Sequence, residues 1–182
     1  MKIIRKLLKT LRGEQNIEKL KKRGLKMGNN VTLMGECIID PSHCWHIEIG
    51  DDVIIAPRVH ILAHDAGTKL FLGHTRVANV IIGNKVFIGA GTIILPGVTI
   101  GNNVVIGAGS IVSKDIPDNS VAVGSPVKVV STLEDFLNKQ KQKMSPQNTF
   151  DALYTLRNKD FSEIMKMEML TSCQRFGELF VE

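Results

Sequence analysis

Ile82-Gly83-Asn84-Lys85-Val86-Phe87-Ile88-Gly89-Ala90-Gly91-Thr92-Ile93-Ile94-Leu95-Pro96-Gly97-Val98-Thr99-Ile100-Gly101-Asn102-Asn103-Val104-Val105-Ile106 sets an aliphatic residue at every sixth position. Ile82, Ile88, Ile94, Ile100 and Ile106 are the rungs, and Val112 continues them. Upstream, Ile49, Ile55 and Ile61 keep the same step. Six residues fit neither the 3.6-residue helical stripe nor a simple alternating hairpin. The period is that of a parallel β-helix, in which short flat strands meet at corners and the chain winds on. The residues two before each rung are aliphatic as well: Ile47, Val53, Val59, Val80, Val86, Val98 and Val104. Each hexad therefore points two side chains inward. Three hexads per turn make a triangular coil, and rungs 49–61, 82–94 and 100–112 fill three turns.

Outward from this stretch the ladder frays. Met27, Leu33 and Ile39 form a degenerate first coil, as terminal repeats do. The phase then slips at Asp40-Pro41-Ser42-His43-Cys44-Trp45, an inserted corner loop. From Ile61 to Ile82 is 21 residues, one step of six plus fifteen extra, so a loop is ejected within residues 64–79. A long loop on a regular scaffold is a common carrier of function. Lys114 to Ser120 breaks the ladder with turn residues, and Val121 to Pro126 reads as a last partial turn. Residues 131–143 and about 149–170 have helical spacing and read as a helical extension over 131–182.

The charge is uneven. Residues 1–26 carry ten Lys or Arg against two Glu, a net of +8, so the rest of the chain sums to −3. The basic balance belongs to one end, which argues against nucleic-acid binding by the body. Residues 2–12 set Ile3, Ile4, Leu7, Leu8 and Leu11 on one face of a basic amphipathic helix within segment 1–24. That helix either caps the coil or a subunit, the favoured reading, or lies on an anionic membrane surface. Residues 14–23 form a second helical stretch. The sequence has no secretory or spanning pattern, and three cysteines without framework spacing suit a reducing cytoplasm.

Residues 25–130 resemble the hexapeptide-repeat acyltransferases, in particular the galactoside, maltose and streptogramin O-acetyltransferase branch. The likeness rests on Ile54-Ile55-Ala56-Pro57-Arg58-Val59, the opening Ala63-His64-Asp65, and the run from Ile81 to Gly89. It continues through Ile94-Leu95-Pro96-Gly97-Val98-Thr99-Ile100-Gly101 and Val104 to Val112, and closes with Ala122-Val123-Gly124-Ser125-Pro126-Val127-Lys128. The resemblance implies a left-handed β-helix, a homotrimer, and acetyl-CoA as co-substrate. It also implies transfer to a sugar or glycan-precursor hydroxyl. N-acetylation of an amino-sugar nucleotide and a non-catalytic scaffold are the alternatives.

Acetyl transfer from an activated thioester needs one base, and a neutral imidazole titrates in the right range. His64, three residues past rung Ile61 where the loop departs, matches the family's catalytic histidine. Asp65 either steadies that imidazole, binds acceptor hydroxyls, or is a solvated loop charge. Neighbours on an extended chain point apart, which counts against a direct pair. His43 in the inserted corner and His74 in the ejected loop are candidate acceptor-binding residues. By match to the family, Ala90 and Ala108 lie along the pantetheine arm, Ser113 and Lys114 near the nucleotide, and Lys128 by a phosphate. Small residues allow close approach, and Ser and Lys suit phosphate oxygens. His43, Cys44 and His46 lack paired metal-ligand spacing, so no metal is expected.

Overall fold

The computed structural model describes residues 15–182. The proposed N-terminal amphipathic helix over 2–12 lies outside the described residues. The chain divides into two compact units, one ending at Glu134 and one covering Asp135–Glu182.

The first unit is a three-faced coil of parallel strands. The first face stacks Lys26–Met27, Ile47–Ile49, Val80–Ile82 and Thr99–Ile100. The second stacks Thr32–Leu33, Ile54–Ile55, Val86–Ile88, Val104–Ile106 and Ser120–Val123. The third stacks Ile38–Ile39, His60–Ile61, Ile93–Ile94 and Ile111–Val112. Register follows the six-residue ladder. Ile49 pairs with Ile82 and Ile82 with Ile100; Ile55 pairs with Ile88 and Ile88 with Ile106; Ile61 pairs with Ile94 and Ile94 with Val112. The expected first coil is present too, with Met27, Leu33 and Ile39 beside Ile49, Ile55 and Ile61.

All these rungs from Ile39 onward are buried, as are Val53, Val59, Val80, Val86, Val98 and Val104 two residues ahead. Identical side chains stacked coil on coil fill the interior, which is why Ile and Val suffice without aromatics. On the third face, Thr92 and Ser110 take the second inward position, and both hydroxyls donate to the carbonyl of Gly107.

The corners are set by side chains that bond between coils. At the corner between first and second faces, the amide of Asn29 donates to Asp51 and that of Asp51 to Asn84. The amide of Asn84 donates to Asn102, and that of Asn102 to Asp118. The next residue in each coil, Asn30, Asp52, Lys85, Asn103 and Asn119, has positive φ. Asn and Asp adopt that conformation most readily among non-glycine residues, so the Asn/Asp pairs encode the turn. Gly83 precedes this corner because a Cβ there would meet the Gly101 carbonyl oxygen at 2.7 Å.

Two departures from the sequence reading appear at the far end. The ladder does not stop at Lys114. Ile116 bridges to Ile100 and is buried, and Ala122 follows six residues later beside Ile106. The corner is shortened by two residues, so the rung was hidden by its changed spacing. The chain then turns back, and Lys128–Thr132 pairs antiparallel with Ser120–Val123.

Helix Leu133–Lys143 falls within the helical spacing read over 131–143, but the next α-helix is Glu163–Phe176. Residues 149–162 form no α-helix, only the single 3-10 turn Ala152–Tyr154. Asp151 and Asn158 bind nearby backbone amides through their side chains, a local alternative to helix. Thr149–Phe150 instead pairs with Phe180–Val181. The helix starts where the Ser162 hydroxyl caps the amide of Met165. No described helix is long and apolar enough to cross a membrane.

Candidate active site

Both interruptions of the ladder open at the same corner, between the third and first faces. One leaves after Ile39 and returns at Ile47; the other leaves after Ile61 and returns at Val80. Because Ile39 and Ile61 are stacked partners, the residues that follow them emerge one above the other. That stacking brings Asp40 to His64.

Asp40 is fully buried. Its Oδ1 accepts from the amides of Ser42 and His43 at 2.9 and 3.2 Å. Its Oδ2 accepts from the amide of Ala63 at 3.0 Å and is bonded to His64 Nδ1. Burial pushes the Asp40 carboxyl up. The bonds from His64 and from the amides of Ser42, Ala63 and His43 outweigh this and hold it below the ordinary carboxylate range. An ionised carboxylate only accepts, so the proton on His64 sits at Nδ1 and Nε2 carries the lone pair. About a third of the His64 side chain is exposed, at 32 %. The geometry is that of an oriented base.

Asp65, the residue the sequence offered for steadying the imidazole, does not take that part. Its Oδ1 accepts from the amide of Gly67 at 2.8 Å, inside its own loop. Asp40 occupies the place instead. In the sequence Asp40 reads only as the first residue of an inserted corner. The signal available was positional: Asp40 follows a rung stacked under the rung before His64.

His43 joins the pair. Its ring lies 4.9 Å from the His64 ring and 5.4 Å from the Trp45 ring. Its Nδ1 is buried without a hydrogen-bond partner. Asp40, His43 and His64 bring one ligand-type atom each within 4.8 Å of one another. Both oxygens of Asp40 are already engaged by four donors, so the group is built as a hydrogen-bonded dyad with a ring packed on it.

The ejected loop begins as a hairpin, His64–Asp65 against Arg76–Val77, and is closed by the Ala78 amide on the Ala63 carbonyl. Its tip, helix Lys69–Leu72, exposes Leu70, Phe71 and Leu72. His74 lies on this exposed tip with Nδ1 on the Leu72 carbonyl, and it does not join the imidazole pair.

The other sequence candidates fall in two places. Ala90 and Ala108 stack on the corner between second and third faces, linked by the Gly109 amide on the Ala90 carbonyl. Ala90 is half-buried and Ala108 exposed. Ser113 and Lys114 are exposed after Val112, at the corner that carries His64 in the earlier coils. Lys128 is exposed on the returning strand. Within one chain, Ala90 and His64 therefore stand on different edges of the coil.

The bacterial transferase hexapeptide (six repeats) family model matches residues 79–114. Protein CapG of Staphylococcus aureus is 40 % identical over 137 residues, covering 72 % of this chain and 80 % of that protein. The chain belongs to the hexapeptide-repeat acyltransferase family. A galactoside acetyltransferase solved in complex with coenzyme A is 33 % identical, with a TM-score of 0.54, over 68 % of this chain and 74 % of that one. The galactoside O-acetyltransferase of Escherichia coli K12 is 46 % identical over 97 residues; these cover 50 % of this chain and about half, 46 %, of that protein's length. Membership makes this chain an acyltransferase.

Proposed function

We propose that this acyltransferase transfers acetyl from acetyl-CoA to a hydroxyl of a sugar or glycan precursor. The observation that carries the reading is the Asp40–His64 pair at the root of the ejected loop. Acetyl-CoA brings the acetyl group as an activated thioester. His64 Nε2 takes the hydroxyl proton as the sugar oxygen attacks the thioester carbonyl. The carbon–sulfur bond breaks and the departing sulfur takes that proton back. The imidazolium formed between these transfers faces the Asp40 carboxylate, which stabilises it. The likeness to galactoside acetyltransferases supports a sugar hydroxyl as acceptor.

The reading includes a left-handed coil and a homotrimer, both properties of the family. Two outward stripes favour contact between copies. On the second face, Ile54, Phe87 and Val105 point out in register, with Ile54 and Phe87 about 40 % exposed. On the third, Ile38, Ile93 and Ile111 do so beside His60. Two unlike apolar faces suit a heterologous contact, which closes into a ring when the rotation allows. In such a ring the His64 edge of one copy meets the Ala90 edge of the next, and acetyl-CoA lies between them. The backbone N–H of Ala90 then faces the developing oxyanion. The exposed corner at Ala108, with Ser113, Lys114 and Lys128, accepts the arm and phosphates. His43 and the loop residues Asp65 and His74 border the acceptor. The protein works in the cytoplasm.

The test is His64→Ala with acetyl-CoA and a panel of sugars, with product mass and hydroxylamine lability as readouts. Loss of turnover with CoA binding retained supports the base. Full turnover in the variant overturns it, and a hydroxylamine-stable product overturns O-acetylation.

A further inference from the structure

Beside the dyad, on the first face, lies a cavity of about 270 Å³ lined by Lys26, Trp45, His46, Glu48, Asn79 and Ile81. Trp45, the single tryptophan of the chain, is 49 % exposed here. Its position is built. It sits in the turn Cys44–His46, over the buried Cys44. Behind it, Gly24 leaves so little room that a Cβ would come within 2.7 Å of the Trp45 Cβ. The indole is thus held at the surface rather than left over from the core.

The polar lining is arranged to meet hydroxyls. His46 Nδ1 is bonded to Asn79 Oδ1 at 2.7 Å, which leaves the Asn79 amide group and His46 Nε2 unengaged by that bond. Lys26 Nζ donates to Glu48 Oε2 at 3.1 Å, so a cation and an anion stand side by side with no net charge. A hydroxyl both donates and accepts, and such a lining serves both. A flat apolar ring edged by neutral-sum polar groups suits the C–H face of a pyranose. The chain of rings His64, His43, Trp45 runs from the base to this platform.

We propose, on the reading of His64 as the base for a sugar hydroxyl, that Trp45 and this cavity form a second sugar subsite. The acceptor is then a neutral glycan of at least two pyranose rings: one presents its hydroxyl to His64, and its neighbour stacks on Trp45. The cavity holds a sugar ring and discriminates an oligosaccharide or glycoside from a lone monosaccharide.

The single indole makes the test direct. Trp45 fluorescence of the His64→Ala protein is titrated with methyl glucosides and galactosides and with α- and β-linked disaccharides of the same sugars. Saturable change with at least one disaccharide, at concentrations where its methyl monosaccharide gives none, is expected. In the wild type that disaccharide has a kcat/KM about tenfold above the monosaccharide, the scale of one aromatic stacking contact. Trp45→Ala removes this ratio, and Trp45→Phe restores part of it. The subsite is overturned if acrylamide fails to quench the free protein, because the indole is then covered. It is also overturned if every disaccharide leaves the fluorescence unchanged, or if Trp45→Ala keeps the preference. Disaccharide binding without acetyl transfer by the wild type would instead retain the subsite and sink the acceptor reaction.

Discussion

Asp40 Oδ2 holds His64 Nδ1 across 24 residues of sequence, from one coil to the next. The bond fixes the tautomer of the imidazole and leaves Nε2 as the proton acceptor. The proposed transfer turns on that arrangement.

Asp40→Asn should therefore cost about 10²- to 10³-fold in kcat, because an amide facing Nδ1 favours the wrong tautomer and leaves the imidazolium uncompensated. CoA affinity should barely change. Steady-state kinetics beside calorimetric titration with CoA checks both. Near-wild-type kcat would remove Asp40 from the mechanism.

Asp40 also ties stability to pH. Its carboxyl lies below the ordinary value of about 3.9 in the folded protein. The stability it contributes is complete above that ordinary value and is lost as the pH falls through the lower, folded one. The difference in Tm between wild type and Asp40→Asn should shrink between about pH 5 and about pH 3. A constant difference over that range would contradict it.

Lys114→Ala and Lys128→Ala should each weaken CoA binding about three- to tenfold, with the effect fading in high salt, since exposed charges on phosphate are screened. Titration at low and high ionic strength reads this. Equal affinity at both would place these lysines away from the nucleotide.

Lys85 interrupts the corner column formed by Asn30 with Asp52 and by Asn103 with Asn119. It has φ of 54°, which a long side chain adopts at a cost. Lys85→Asn should raise stability by about 0.5 to 1 kcal/mol, seen as a Tm a few degrees higher. A lower Tm would mean the Lys85 side chain stabilises the corner by other contacts.

Ile88 is wholly buried between Ile55 and Ile106. Ile88→Ala should cost about 2 to 5 kcal/mol, since neighbouring coils are pinned by their ladders and cannot collapse into the gap. Denaturant titration measures it. A cost below about 1 kcal/mol would show a coil that repacks freely.

The coil was legible because its determinants are local and repeated. Each hexad specifies two inward side chains and a corner, so Ile49, Ile82 and Ile100 announce their own stacking. The candidate base was legible for a related reason: His64 stands where the repeat breaks, and the family resemblance points to that position. Ile116 was not legible, since a corner shortened by two residues shifts it off the period. Nor was the strand Lys128–Thr132, whose antiparallel return leaves no periodic mark.

The sequence by itself determined the strand period, the inward residues, the two interruptions and the histidine at the second of them. The tertiary structure alone decided what that histidine does with its Nδ1. Asp65 is its neighbour in the chain, yet an extended backbone turns successive side chains apart. Asp40 is remote in the chain, but parallel register lays Ile39 beside Ile61 and so stacks the residues that follow. Contacts between coils are written in the repeat where the period holds; where it breaks, as after Ile39 and Ile61, they depend on how many residues each turn takes, and only the folded winding sets that.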